Sequence, residues 1–216
     1  MRRALEVGGI VAAVVLVGFG VASIVIGANG RSTVRDNLAE QKIVGTPDMT
    51  PPAIRGEASK AGLDVRRLAI PGCSVAGKKI NSGSTARCFA QYMNIHAVEA
   101  TGGRVYAQMP RYATASGAGT NEAALALKDA KGKPVDNPNR NVWVNETALA
   151  TALNTSYMAE QISVFGVVVG IALLLSGFGF AILSVGGALR NRDTALHFVL
   201  PKRQSERDQT VASAGA

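Results

Sequence analysis

The sequence is poor in the side chains on which most enzymes depend. Its 216 residues include two cysteines and two histidines, and aromatic residues make up 5% of the chain. A protein metal site usually needs three or four ligands, which two distant cysteines do not supply. The chain contains no G-x-S-x-G turn, no G-x-x-x-x-G-K-[ST] phosphate loop and no G-x-G-x-x-G after a strand. We therefore predict no catalytic residue, no metal and no cofactor, and enzyme activity, although left open, is disfavoured.

Charge is absent from two long apolar segments, Val7–Ala28 and Ile162–Leu189. About 20 residues of α-helix cross a hydrocarbon core about 30 Å thick, so residues 7–28 and 162–189 are predicted transmembrane helices. The alternative interpretation of the first segment is a cleaved secretory signal. That alternative is disfavoured because the apolar stretch exceeds the roughly 7–15 residues of a signal and no clear A-x-A site follows it.

Basic residues precede the first apolar segment and follow the second. Because Lys and Arg near span ends stay in the cytoplasm, these residues predict a plasma-membrane protein with a cytoplasmic N-terminus (residues 1–6) and a disordered cytoplasmic tail (residues 190–216). Residues 29–161 then form an extracytoplasmic domain. The residues concerned are Arg2, Arg3, Arg190, Arg192, Lys202, Arg203 and Arg207.

The domain between the segments is predicted to be mainly helical. Thr50 and Pro51 are a cap and first-turn pair, and Ser84 is positioned to cap a helix that runs through "CFAQYMNIHAVEATGG", residues 88–103. Residues 64–73 are predicted to form a strand that leads into a turn, and residues 104–112 a strand or extended segment. From Trp143 no breaker precedes the second span, so one long helix is expected. The fold class is thus a mainly α membrane protein with a small extracytoplasmic α(+β) domain.

Both cysteines, Cys73 and Cys88, lie in the predicted extracytoplasmic domain. Disulfides persist in that oxidising compartment, and two cysteines allow a single pairing. We predict a Cys73–Cys88 disulfide, and the alternative is two reduced thiols.

Small residues form a stripe on each apolar segment. Such stripes let helix backbones approach closely in lipid. The two stripes either face each other within one chain or form a dimer seam, and incidental glycine is the remaining alternative. The predicted packing residues are Gly9, Ala13, Gly20 and Gly27 in the first segment, and Gly166, Gly170 and Gly177 in the second.

The two histidines, His96 and His197, fall on opposite sides of the predicted membrane and cannot share one ion. Glu99 follows His96 by three residues, on the same helical face. These two residues are the candidates for a ligand site, although a hydrogen-bonded structural histidine is the alternative.

The chain carries a formal net charge of +8. Its basic residues are dispersed and its aromatic residues few, so nucleic acid is not a predicted partner. The predicted partners are the lipid bilayer and either another membrane or envelope protein or a second copy of the chain.

Three segments carry a resemblance: "QKIVGTPDMTPPAI", "CFAQYMNIHAVEATGGRVYAQMPRY" and "VWVNETALATALNTSYMAEQISVFGVVVG". In them the chain resembles a family of uncharacterised actinobacterial two-span membrane proteins, some of which bear the label "aromatic ring-opening dioxygenase". The resemblance implies two spans, an extracytoplasmic domain and a high-GC Gram-positive source, and it implies no catalytic residues. The dioxygenase label does not fit, because one extracytoplasmic histidine cannot supply a two-histidine iron site.

The sequence therefore favours a non-catalytic structural or accessory subunit of an envelope complex. The alternative is an extracytoplasmic enzyme or small-ligand-binding protein that uses a site near His96 and Glu99. A subunit of a transport complex is a third hypothesis, in which a partner supplies the polar pore residues.

Overall fold

The computed structural model describes residues 2–186, and within them the fold is mainly helical. It contains α1 (Arg2–Glu40), α2 (Pro51–Lys60), α3 (Gly83–Ala100) and α4 (Pro138–Val185). The predicted end of the second span at residues 187–189 and the tail at 190–216, with His197, lie outside the described residues.

Neither of the two segments predicted as strands, residues 64–73 and 104–112, forms a strand, although the backbone is locally extended at Leu68 and Met109. Short 3-10 helices occupy Val65–Arg67 and Tyr106–Gln108. Residues 2–186 form no β-strand, only isolated bridges such as Val44 with Lys79 and Tyr112 with Thr120. The β component of the predicted α(+β) domain is therefore not formed in this part of the chain, where pairing between backbones is confined to single bridges.

Both α1 and α4 are long and apolar enough to cross a membrane, judged by length and composition. The apolar part of α4 continues without a break from its polar first half, as the absence of a breaker after Trp143 predicts. A mainly helical chain with two candidate spans is thus the architecture that the sequence predicts.

The described residues divide into two compact units, residues 2–18 with 174–186, and residues 19–173. In the first unit Gly9 and Ala13 are buried, and a Cβ atom at Gly177 would lie 3.2 Å from the carbonyl oxygen of Ala13. A larger residue at position 177 would therefore push α1 and α4 apart in this unit.

In the second unit α1 and α4 are also in close contact through glycine. A Cβ atom at Gly170 would lie 2.7 Å from the carbonyl oxygen of Gly20, and one at Gly27 would lie 2.5 Å from that of Ser163. Gly166 is adjacent, since its Cβ would lie 3.8 Å from the Cα of Gly27. The two backbones meet at these positions only because side chains are absent.

The core of the second unit is centred on α3. Ser82, and not the predicted Ser84, is the N-cap of α3, because its hydroxyl accepts from the Thr85 N–H while the Ser82 N–H donates to the Thr85 hydroxyl. This reciprocal pair is a capping box. The residues buried in the main core are Leu38, Met49, Ile54, Val75, Ile80, Ala86, Cys88, Ala90, Tyr92, Ile95 and Leu153.

The segment before α3 is fastened to that helix at Cys88 and Tyr92. The sulfur atoms of Cys73 and Cys88 lie 2.07 Å apart, at disulfide distance. Four residues along the helix, the buried Tyr92 donates its hydroxyl to the Cys73 carbonyl at 2.6 Å. The loop between the cysteines is thus held at both of its ends.

A buried carboxylate, Glu160 of α4, connects three helices. Its oxygens accept from Arg31 Nε at 3.0 Å and Arg35 Nε at 3.1 Å on α1, and from the Gly83 N–H at the start of α3. A Cβ atom at Gly83 would lie 2.8 Å from the carboxylate, so glycine permits the approach. Burial opposes ionisation, but the hydrogen bonds from Arg31, Gly83 and Arg35 outweigh it and lower the pKa of Glu160.

We expect Glu160→Gln to destabilise the second unit at pH 7 by roughly 1.5–3 kcal/mol, the usual contribution of hydrogen bonds to a charged group. Since the pKa of folded Glu160 is below the ordinary 4.5, its stabilisation is complete above that pH and is lost as the pH falls through the folded value. The difference between wild type and variant should therefore shrink below pH 4.5. Thermal unfolding followed by the fluorescence of Trp143, the single tryptophan, measures it.

The matched control is Glu146→Gln, which alters another buried carboxylate of α4 that accepts from Asn94 and forms no ion pair with Lys or Arg of residues 2–186. An equal loss in both variants, or a Glu160→Gln loss that does not change with pH, would contradict this role of Glu160.

Candidate functional site

The second unit contains a cavity of about 690 Å³ between α1, α3, α4 and the loop that follows α1. Its wall is mostly apolar, with polar atoms from four side chains. The lining residues are Asn37, Leu38, Gln41, Ile43, Met49, Phe89, Met93, His96, Leu149, Ala152, Leu153 and Ser156. A concave, largely apolar cavity of this size with a few convergent polar groups is typical of small-molecule sites.

Each wall of the cavity follows from local sequence. On α3, Phe89, Met93 and His96 recur at spacings of four and three residues, so all three lie on one face of the helix. That face points into the cavity, whereas the face with Tyr92 and Ile95 points into the core. The helical stripe in the sequence therefore comprises two adjacent faces with different surroundings.

His96 joins the cavity to a group of acidic residues. Its ring lines the cavity, and its Nε2 lies 2.5 Å from Asp48 Oδ2. Asp48 is in the loop just before Thr50, whose hydroxyl caps α2 by accepting from the Ala53 N–H. The cap fixes where the loop ends, and so places Asp48 against α3.

Two further carboxylates lie near this pair. Glu57 of α2 offers an oxygen that lies within 4.8 Å of ligand atoms of both Asp48 and His96. Glu99, one turn beyond His96 on α3, has an Oε1 atom that is buried and has no hydrogen-bond partner within residues 2–186. Asp48, Glu57 and His96 converge, and Glu99 interacts electrostatically with all three; we call these four residues the acidic cluster (Asp48, Glu57, His96 and Glu99).

The acidic cluster shifts the pKa values of two members in opposite directions. Burial raises the pKa of Asp48, but hydrogen bonds from Thr46 and its own backbone, together with His96, outweigh it, and the net pKa is lowered. Burial also raises the pKa of Glu99, the charges of Glu57 and Asp48 raise it further, and His96 only partly opposes them. Asp48 is thus a carboxylate at neutral pH, while Glu99 holds its proton to a higher pH than an ordinary glutamate.

Three of these groups could together hold a metal ion. The Nε2 of His96 and one carboxylate oxygen each from Asp48 and Glu57 lie within 4.8 Å of one another. Imidazole with carboxylates is a donor set suited to first-row divalent metals.

The structure brings His96 and Glu99 into one cluster, although the direct partner of His96 is Asp48. Sequence reasoning missed Asp48 and Glu57, which are distant from His96 along the chain. The only sequence signal was the Thr50–Pro51 helix start, which fixes the spacing between the two acids but not what they face. The predicted packing glycines contribute no side chain to the acidic cluster, and neither does the Cys73–Cys88 pair.

We expect Glu99→Gln to raise the thermal stability of the second unit at pH 8. Because the pKa of folded Glu99 is above the ordinary 4.5, ionising it in the folded state costs free energy as the pH rises through the folded value, and Gln removes that cost. The two proteins should unfold at similar temperatures below pH 4.5, where both side chains are neutral. Trp143 fluorescence in a chelator-containing buffer reports the unfolding, and a lower stability of the variant at pH 8 would refute the effect. The exposed Glu122→Gln is the control.

No known family's sequence profile matches the chain, and neither a curated protein nor a solved structure matches it.

Proposed function

We propose that this is a membrane protein of the cell envelope whose extracytoplasmic domain binds a small apolar molecule in the cavity between α1, α3 and α4. The observation that carries the proposal is the cavity of about 690 Å³, with an apolar wall and a histidine at one side. The role is binding without covalent chemistry.

The lining residues specify the tail of the ligand. Leu38, Phe89, Met93 and Leu153 offer aliphatic, aromatic and thioether surface, which gains free energy when it is covered by apolar groups instead of water. Methionine is flexible and adapts to ligands of different shape. The site therefore suits an alkyl or isoprenoid-like chain.

The acidic cluster specifies the head of the ligand. The ionised Asp48 lies at hydrogen-bond distance from His96, and Glu57 and Glu99 are close to both. With protein groups alone, this negative potential repels a carboxylate or phosphate near His96. We therefore propose an uncharged or cationic head, such as a hydroxyl or amine, that hydrogen-bonds near the His96 ring.

The cavity is close along the chain to both apolar segments. Leu38 follows Ala28 by about 15 Å of helix, and Ser156 precedes Ile162 by about 9 Å, at 1.5 Å per residue. A molecule that partitions into the bilayer would therefore have a short path to the site, which favours a ligand drawn from the membrane.

The accessory-subunit role remains a prediction and is compatible with ligand binding. The plasma-membrane location, the cytoplasmic termini and the extracytoplasmic side of residues 29–161 belong to the same proposal. If the accessory role is correct, cross-linking in native membranes followed by mild solubilisation should capture one stoichiometric partner. Recovery of the chain alone or as a homo-oligomer would contradict it.

Ligand binding is tested with a monoacylglycerol that carries a photoreactive diazirine in its acyl chain, added to the full chain in lipid nanodiscs. After irradiation, reduction and trypsin digestion, we expect label on the peptide Cys88–Arg104, which contains Phe89 and Met93. Ala152→Trp should abolish that label, because Ala152 is exposed and lines the cavity, so that an indole fills the space without entering the core.

The matched control is Ala148→Trp, an exposed position of α4 one turn away that does not line this cavity. Label on the apolar segments should persist in all three proteins, which controls for probe delivery. Equal labelling of Cys88–Arg104 in both variants, or none in wild type, would refute the proposed site.

A further inference from the structure

The acidic cluster has the geometry of a metal site that is almost assembled. A first-row divalent ion takes carboxylate oxygen and imidazole nitrogen ligands at about 2.0–2.2 Å, so its ligand atoms are separated by about 3–4 Å. The three atoms from Asp48, Glu57 and His96 are already within 4.8 Å of one another. Small side-chain rotations are enough to bring them around one ion.

The negative charge of the acidic cluster favours the binding of a cation. Asp48, Glu57 and Glu99 are three carboxyl groups, and within residues 2–186 none of them forms an ion pair with Lys or Arg. By contrast, Glu160 in the same unit has two arginines. Carboxylates that converge without a Lys or Arg partner repel one another, and a bound divalent ion would reduce that repulsion.

Glu99 provides a separate observation. Its Oε1 atom is buried and accepts no hydrogen bond from any described residue. An unpartnered buried acceptor is costly and uncommon in proteins. The charges of Asp48, Glu57 and His96 all act on Glu99, so a cation held by these three residues would also interact with its carboxylate.

The geometry points to a binding site for a first-row divalent metal ion, with Asp48, Glu57 and His96 as ligands and Glu99 beside them. The imidazole favours Zn²⁺ over Ca²⁺ and Mg²⁺, which take oxygen ligands, and the two carboxylates also suit Mn²⁺. The ion takes the place of the proton between Asp48 and His96, and the exposed Glu57 rotates to complete the set.

The inference rests on the acidic cluster and not on the proposed apolar ligand, although the two sites share His96. A bound divalent ion would neutralise the charges of Asp48 and Glu57 at one wall of the cavity. The loaded protein would then no longer repel an anionic head group, as the metal-free protein does. Metal binding would thus change the class of ligand that the cavity takes.

The experiment is a titration of Mn²⁺ alone into the full chain in uncharged lipid nanodiscs, after treatment with a chelator and its removal. Electron paramagnetic resonance reads the free ion, and Zn²⁺ serves as the competitor. We expect one strong Mn²⁺ site per chain. Zn²⁺ should displace Mn²⁺ from this site, whereas an equal concentration of Mg²⁺ should not. Glu57→Gln and His96→Gln should each weaken Mn²⁺ binding by at least about 10-fold, because replacing even the hydrogen-bond partners of metal ligands usually costs that much.

Glu57→Gln is the decisive variant, because Glu57 is exposed and its replacement leaves the core unchanged. Trp143 fluorescence confirms the fold of each variant. Glu122→Gln, another exposed acid, is the matched control and should bind as wild type does. No site at millimolar Mn²⁺ or Zn²⁺, or equal binding by Glu57→Gln and wild type, would overturn the inference.

The two proposals fail independently in these experiments. Ala152→Trp fills the cavity and should leave Mn²⁺ binding intact, and the labelling of wild type is measured in metal-free buffer, where the metal site is empty. Loss of labelling with retained Mn²⁺ binding would remove the apolar ligand alone. The reverse result would remove the metal site alone.

Discussion

The fold of the second unit depends on how three helices are held at one buried carboxylate. Glu160 of α4 accepts hydrogen bonds from two arginines of α1 and from the first N–H of α3. Removing any one of these partners would destabilise the second unit, because the remaining charges would stay desolvated and unpaired. The contact also requires glycine at position 83, because a Cβ atom there would lie too close to α4. The same contact that stabilises the unit therefore sets the angle and register of α3 between the other two helices.

The cavity is a consequence of that arrangement. Glu160, Leu153 and Glu146 recur every seven residues on α4, and all three are buried. Leu153 packs in the core beside α3, while the neighbouring Ala152 and Ser156 face the cavity. Helices α1, α3 and α4 are in contact at Glu160. Beyond this contact, the side chains of Phe89 and Met93 do not fill the space between the helices. Local packing thus leaves a concave apolar surface next to the acidic cluster, which provides the means to bind an apolar chain and a polar or metal-bound head.

The sequence predicted those features that depend on local pattern, and it failed on those that depend on chain crossings. Two charge-free segments and an uninterrupted stretch after Trp143 predicted α1 and α4, since length and hydropathy suffice for long apolar helices. The start of α2 at Thr50 and Pro51 was predicted by its cap. The cap of α3 was placed at Ser84 instead of Ser82, because the reciprocal hydrogen bonds between Ser82 and Thr85 start the helix at Gly83, where the backbone N–H donates to Glu160 of α4. His96 and Glu99 were predicted as candidates, but Asp48 and Glu57 belong to another element and become neighbours only in three dimensions.

The central claim is that the domain between the two candidate spans contains a ligand site at the cavity lined by Phe89, Met93 and His96. Its most direct test is native mass spectrometry of the full chain released from its own membranes without added ligand. The account predicts a defined small-molecule mass on wild type and on Ala148→Trp, which is absent from Ala152→Trp. A bare chain in all three proteins, or the same adduct on Ala152→Trp, would contradict it.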